Sequence, residues 1–173
     1  CISLEQVFSC SVQKSSGGYL RHIPICFLPN QKERGIWMFT QINSGGIRAV
    51  RGYVVSVEAD VSNGLPGFSI SGQLASEVRE SQERVRTALR NSGFRFQAKK
   101  ITVNLSPAGI HKGGTAYDLP IAIAVLGAFE QADTRGLKDS LVIGELGLDG
   151  RVKPISGVLP LVDAAREYGL KRC

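Results

Sequence analysis

The chain has 173 residues, 43% hydrophobic and 21% charged, with 20 Gly and a single Met, the composition of an ordinary globular domain. Twenty-one Lys and Arg against 15 Asp and Glu leave a net charge of +6, which permits a polyanionic partner without requiring one. The longest apolar run, Leu119 to Phe129, carries Pro120 and Gly127 and falls short of the roughly 18 to 20 residues that cross a bilayer, so a membrane partner is not expected.

Three of the four cysteines, Cys1, Cys10 and Cys26, precede residue 38 and the fourth is Cys173. No disulfide framework or Cys-x-x-C pair is present, and His22 and His111 lie far apart, so neither a zinc site nor any other metal site is expected. A cysteine-free body and the lack of a leader pattern suit a cytoplasmic protein. Residues 1–37 hold neither a helical nor a strand period, and Ser15-Ser16-Gly17-Gly18, Pro24 and Pro29 break what apolar stretches there are. They are read as non-native or disordered sequence, with Met38 as the natural start of the domain.

From Gly52 the pattern is regular. Tyr53, Val55, Val57, Ala59 and Val61 alternate with Ser56, Glu58 and Asp60, which predicts a strand with one buried face. The turn-forming Ser62-Asn63-Gly64-Leu65-Pro66-Gly67 then leads to Phe68–Ser71, and the two strands are expected to form a hairpin. Leu74, Val78, Ser81, Val85, Ala88 and Leu89 recur every three or four positions and predict an amphipathic helix ending at Gly93. Ile101, Val103 and Leu105 predict the next strand, with Phe94 and Phe96 entering the core.

Beyond the loop 108–117, Asp118 is expected to cap a second helix with Pro120 in its first turn. Ile121 to Leu126 is apolar on nearly every side, so that helix is expected to be buried between layers. Leu141 to Leu146 and Arg151 to Pro154 read as strands joined by a tight turn at Leu148-Asp149-Gly150. Val158, Leu161, Val162, Ala165 and Tyr168 predict a last helix, and Leu170 to Cys173 the entry into another strand. The fold class is α+β, a mixed sheet with helices packed on it. A chain truncated before its last strand is expected to be marginally stable.

Several blocks, in this order, carry a resemblance: Gly64-Leu65-Pro66-Gly67-Phe68, Val78 to Arg86, Asn91-Ser92-Gly93-Phe94, Lys100 to Ala108, Asp118 to Ile123, Gly144 to Arg151 and Gly157-Val158-Leu159-Pro160. Residues 38–173 resemble the N-terminal domain of the YifB/ComM family of magnesium-chelatase-like AAA+ ATPases. The resemblance implies a fold similar to the proteolytic domain of Lon and to the second domain of a small-subunit ribosomal protein. Lon-type peptidases use a Ser nucleophile and a Lys base. Carried onto this chain, Ala116 stands at the serine's place and Leu159 at the lysine's, so no catalytic residue is expected. Thr115 and Ser156 read as loop hydroxyls rather than replacement nucleophiles.

Complete family members resemble hexameric DNA motors that drive branch migration during natural transformation. The resemblance therefore implies a homo-oligomeric ring, DNA as a partner, and ATP with Mg for the full-length protein. This chain has no G-x-x-x-x-G-K-[ST], and Ala108 to Thr115 is only superficially like one, so the AAA+ module is expected outside it and no cofactor is expected within it. Arg95, Lys99, Lys100, His111 and Lys112 are the nucleic-acid contact candidates, on the expectation that they converge at one end of the sheet. The alternative is a purely structural or regulatory module without DNA contact. Metal chelation finds no ligand cluster.

Overall fold

A computed structural model describes residues 39–173; the expectations for residues 1–37 and for Met38 as a start lie outside them. Four strands form the main sheet: β1 (Phe39–Arg48), β2 (Arg51–Ser62), β3 (Gly67–Ser71) and β4 (Lys100–Ser106), in the order β1-β2-β4-β3. Three α-helices pack on it: α1 (Ser76–Asn91), α2 (Asp118–Ala128) and α3 (Val158–Tyr168). A two-residue ladder, β5 (Glu145–Leu146) with β6 (Val152–Lys153), closes the predicted turn at Asp149-Gly150. The expected α+β mixed sheet is what forms.

β1 extends the patterned region upstream of Gly52. Its core-facing residues include Thr40, Ile42, Ser44 and Gly46, of which only one is a large apolar side chain. Small residues are needed there because α2 lies close: a Cβ on Gly127 would approach Thr40 to 2.8 Å.

The expected hairpin between β2 and β3 does not form. β4 lies between them, antiparallel to β2 and parallel to β3. Its apolar residues Ile101, Val103 and Leu105 sit opposite Val61, Ala59 and Val57, so the two strands whose buried faces are wholly apolar are adjacent at the centre. β3, half-exposed along its length, takes the edge, and α1 makes the parallel crossover that this order requires. Phe94 is buried as expected, and Phe96 is partly buried against Phe129, with ring centroids 5.2 Å apart.

The strand predicted over Leu141 to Leu146 is only its last two residues. Gly144 turns the backbone toward the start of α2, donating to the Ala116 carbonyl and accepting from the Leu119 N–H, each at 3.0 Å. Leu141 makes a single parallel bridge to Asn43, and Ser140 another to Arg172, so residues 170–173 do begin to pair.

α1 and α2 cover one face of the sheet and α3 the other. On the first face Val55, Val57, Ala59, Val85, Leu89, Val103, Leu105 and Ile121 to Leu126 form the main core. On the second, Leu161 and Ala165 of α3 meet Leu141 in a smaller cluster, and a Cβ on Gly45 would touch Leu161. α2 is buried on all sides, as its composition predicts.

Candidate functional site

Ala116 and Leu159, the positions expected to correspond to the peptidase's serine and lysine, lie at the same end of the sheet. Tyr117, next to Ala116, is buried with its hydroxyl against Gly46, and Gly157, two residues before Leu159, lies against Ile47. The β1–β2 hairpin therefore joins the two segments from opposite faces. Ala116 is half-buried and its carbonyl is held by Gly144. Leu159, in the first turn of α3, is 75% exposed. Neither side chain can exchange a proton, and a lysine at so open a position would keep an ordinary pKa, because lowering it depends on desolvation.

The segment entering α2 is fixed by a polar network rather than by a cap. The residue preceding the helix is Tyr117, and the expected capping by Asp118 is not made. The Asp118 carboxylate, fully buried, turns instead toward α1 and β5. It accepts from the Ser81 hydroxyl at 2.5 Å, from Arg84 Nε at 2.9 Å and Nη2 at 3.1 Å, and from the Leu146 N–H at 3.2 Å. A lone buried charge is costly, and a helix N-terminus already stabilises it only partly, so a guanidinium supplied by α1 outcompetes the local cap. Arg84 also donates to the Glu77 carbonyl at 2.9 Å, and the bond to Asp118 raises its pKa. Ser81 occupies a core-facing position of α1, and its hydroxyl is what marks this otherwise apolar stripe.

Thr115 donates to Glu145 at 2.5 Å, and Glu145 pairs with Lys153 at 3.7 Å across the β5–β6 ladder. The hydroxyl expected to satisfy backbone thus satisfies a carboxylate already engaged with a cation. Ser156 is exposed.

The five nucleic-acid candidates do not converge. Arg95, Lys99 and Lys100 precede or open β4, whereas His111 and Lys112 follow its end. A strand of 7 residues separates the groups by roughly 20 Å. Arg95, Lys100 and His111 are exposed and Lys99 is half-buried. Lys112 is buried, with its ammonium donating to the Pro107 carbonyl, and it leaves the candidate set: its charge closes the 107–112 loop instead of facing solvent. Its backbone is pinned as well, donating to Gln73 and accepting from Ala75, each at 2.8 Å. For the same reason this loop does not fit a nucleotide phosphate. Its lysine points inward, and the helix it precedes opens with the Asp118 carboxylate.

A family model for subunit ChlI of Mg-chelatase matches residues 57–173. The chain belongs to this magnesium-chelatase-like family. Within it, the chain is 44% identical over 118 residues to competence protein ComM of Haemophilus influenzae, covering 68% of this chain and 23% of that protein. It is 43% identical over 117 residues to the uncharacterized protein YifB of Escherichia coli, again covering 68% and 23%. The chain is a YifB/ComM-type segment and spans about a quarter of the length of the curated relatives it matches. A more distant likeness is to Lon protease of Trichlorobacter lovleyi, 27% identical over 137 residues, or 75% of this chain and 16% of that protein. The mixed sheet described above agrees with that likeness. No helix of the described residues is long and apolar enough to cross a membrane.

Proposed function

We propose that this segment is a catalytically silent, Lon-like platform in a larger magnesium-chelatase-like AAA+ ATPase, where it supports ring assembly and engages DNA during branch migration in natural transformation. The observation that carries the first part is the contrast at the sheet's end. The peptidase-like seats hold Ala116 and Leu159, while the surrounding frame is fully built, with Asp118 receiving four hydrogen bonds. A frame kept in order around seats that cannot react serves position, not chemistry. ATP and Mg belong, on this reading, to a module of the complete protein outside these 173 residues, and the ring is a homo-hexamer built through that module.

The test is to incubate the chain with casein and, separately, with labelled duplex DNA over a salt series. The reading expects no cleavage and measurable, salt-sensitive binding; cleavage, or no binding at low salt, overturns it. A second reading, an interaction module without DNA contact, draws support from the apolar strip on α3. Val158, Leu159 and Val162 are 42%, 75% and 39% exposed, an unusual concentration on one helix face. Light scattering that reports self-association without any DNA binding would favour it.

A further inference from the structure

The β1–β2 hairpin outruns the rest of its sheet. β2 pairs with β4 only from Ser56 to Ser62, so the rungs from Ser44↔Val55 to Arg48↔Arg51 stand beyond β4 as a two-stranded ribbon. Its base is held from both faces: Tyr117 lies against Gly46 on one, and the Pro160 carbonyl against Gly52 on the other. What projects is the tip, Arg48-Ala49-Val50-Arg51, all of it exposed, with Val50 at 85%.

Folding alone does not select this tip. Arg48 and Arg51 are direct cross-strand partners, an arrangement of like charges that destabilises a hairpin. Among the described residues neither has an acidic partner; every ion pair there belongs to other side chains. Ala49 has a φ of 56° at the first of the two turn positions, where glycine is favoured, and the β-branched Val50 stands in solvent. Each of these four residues is a poor choice for a turn and a good one for a contact.

We infer that this tip is a contact for a nucleic-acid phosphodiester backbone. The inference rests on the DNA-engaging reading above and names its site. Two guanidiniums on strands about 5 Å apart can each donate two N–H groups to neighbouring phosphate oxygens. A two-stranded ribbon is narrow enough for a major groove about 12 Å wide, and an apolar apex between arginines gives base or sugar contact without hydrogen-bond specificity. The exposed His111 borders the same ribbon, since its carbonyl accepts from the Tyr53 hydroxyl at 3.1 Å. Of the sequence-derived candidates at this end, Lys112 is buried and His111 is the exposed one, whereas Lys99 and Lys100 stand at the other.

The experiment is fluorescence anisotropy with the 173-residue chain and a labelled 30-base-pair duplex, and with one of its strands alone, from low to high salt. The variants are Arg48→Gln/Arg51→Gln, Arg48→Lys/Arg51→Lys and Lys99→Gln/Lys100→Gln. Loss of both arginines is expected to weaken binding at least about tenfold at 0.1 M salt and to flatten the log–log salt slope by about 2. The lysine pair at the same positions should retain most of the slope, and the Lys99/Lys100 variant should leave it nearly unchanged. Thermal melts of the Arg→Gln variant should be no lower than those of the parent, because a repulsive rung has been removed. If it does unfold, each single Arg→Gln variant should flatten the slope by about 1. Preference for duplex over single strand identifies groove entry; equal binding identifies backbone contact alone, and both support the site. A parent chain that binds with a slope untouched by Arg48 and Arg51, the result expected if the tip meets an acidic protein, overturns the inference and leaves the DNA reading standing. A parent chain that binds neither oligonucleotide overturns both.

Discussion

Removing the Asp118 carboxylate tests the network that holds the segment around Ala116 in shape. In Asp118→Ala the Ser81 hydroxyl and the Leu146 N–H lose a buried acceptor, and Arg84 loses both nitrogen contacts to it. Breaking a buried ion pair by deleting one member costs about 3 to 5 kcal/mol, because the remaining charge stays desolvated. The Arg84 side chain is 21% exposed and keeps its bond to the Glu77 carbonyl, so some of that cost is recovered by rehydration. We therefore expect about 3 kcal/mol for Asp118→Ala, and about 2 kcal/mol for Asp118→Asn, which retains one of the two acceptor oxygens. Arg84→Met should cost at least as much as Asp118→Ala, since it leaves a fully buried carboxylate with only Ser81 and the Leu146 N–H and no opposite charge. The double variant should fall short of the sum by at least about 1 kcal/mol. Urea unfolding with an unchanged m-value reads these numbers from the midpoint shift. A loss below about 1 kcal/mol for Asp118→Ala, or full additivity with Arg84→Met, would refute the account of Asp118 as the junction of α1, α2 and β5.

Gly46→Ala should destabilise by about 1 to 3 kcal/mol in the same assay, because a Cβ there overlaps the hydroxyls of Tyr117 and Tyr53; a neutral effect would show that these rings can shift. Leu126→Ala, at a fully buried position of α2, should cost about 2 to 5 kcal/mol, and a smaller loss would place α2 nearer solvent than described. Burial lowers the Lys112 pKa from its ordinary value of 10.5. Between the lowered value and 10.5 the unfolded chain carries a proton that the folded chain has released, so stability relative to Lys112→Met should rise with pH through that window and stay level below it. A difference that falls with pH there would contradict the burial of the amine. Installing Ser at Ala116 together with Lys at Leu159 should leave casein intact, since a lysine at a position 75% exposed keeps its proton at neutral pH.

How much of this was legible in the sequence depended on whether the deciding physics was local. α2 could be read outright, because ten of its eleven residues are buried and its composition says so. β1 could not: Thr40, Ser44 and Gly46 face the core without the apolar alternation that marks a half-buried strand. The order of β3 and β4 is set by which strands can share the central position, a comparison between segments some thirty residues apart that no window along the chain makes. Asp118 reads as a helix cap, the right place with the wrong partner, since the arginine that claims it arrives from α1. Lys112 reads as a solvated loop lysine beside two glycines, yet the Pro107 carbonyl takes it inward. Arg48 and Arg51 fell in a stretch with no strand assigned, so their position opposite one another at a hairpin tip became visible only with β1 in place.

The central claim, that a peptidase-shaped frame here has no peptidase chemistry, is tested most directly by prolonged incubation of the purified 173-residue chain with casein at micromolar concentration. The account predicts an unchanged substrate after hours, in the parent and in the Ala116→Val and Leu159→Ala variants alike. Proteolysis by the parent that either substitution abolishes would contradict it.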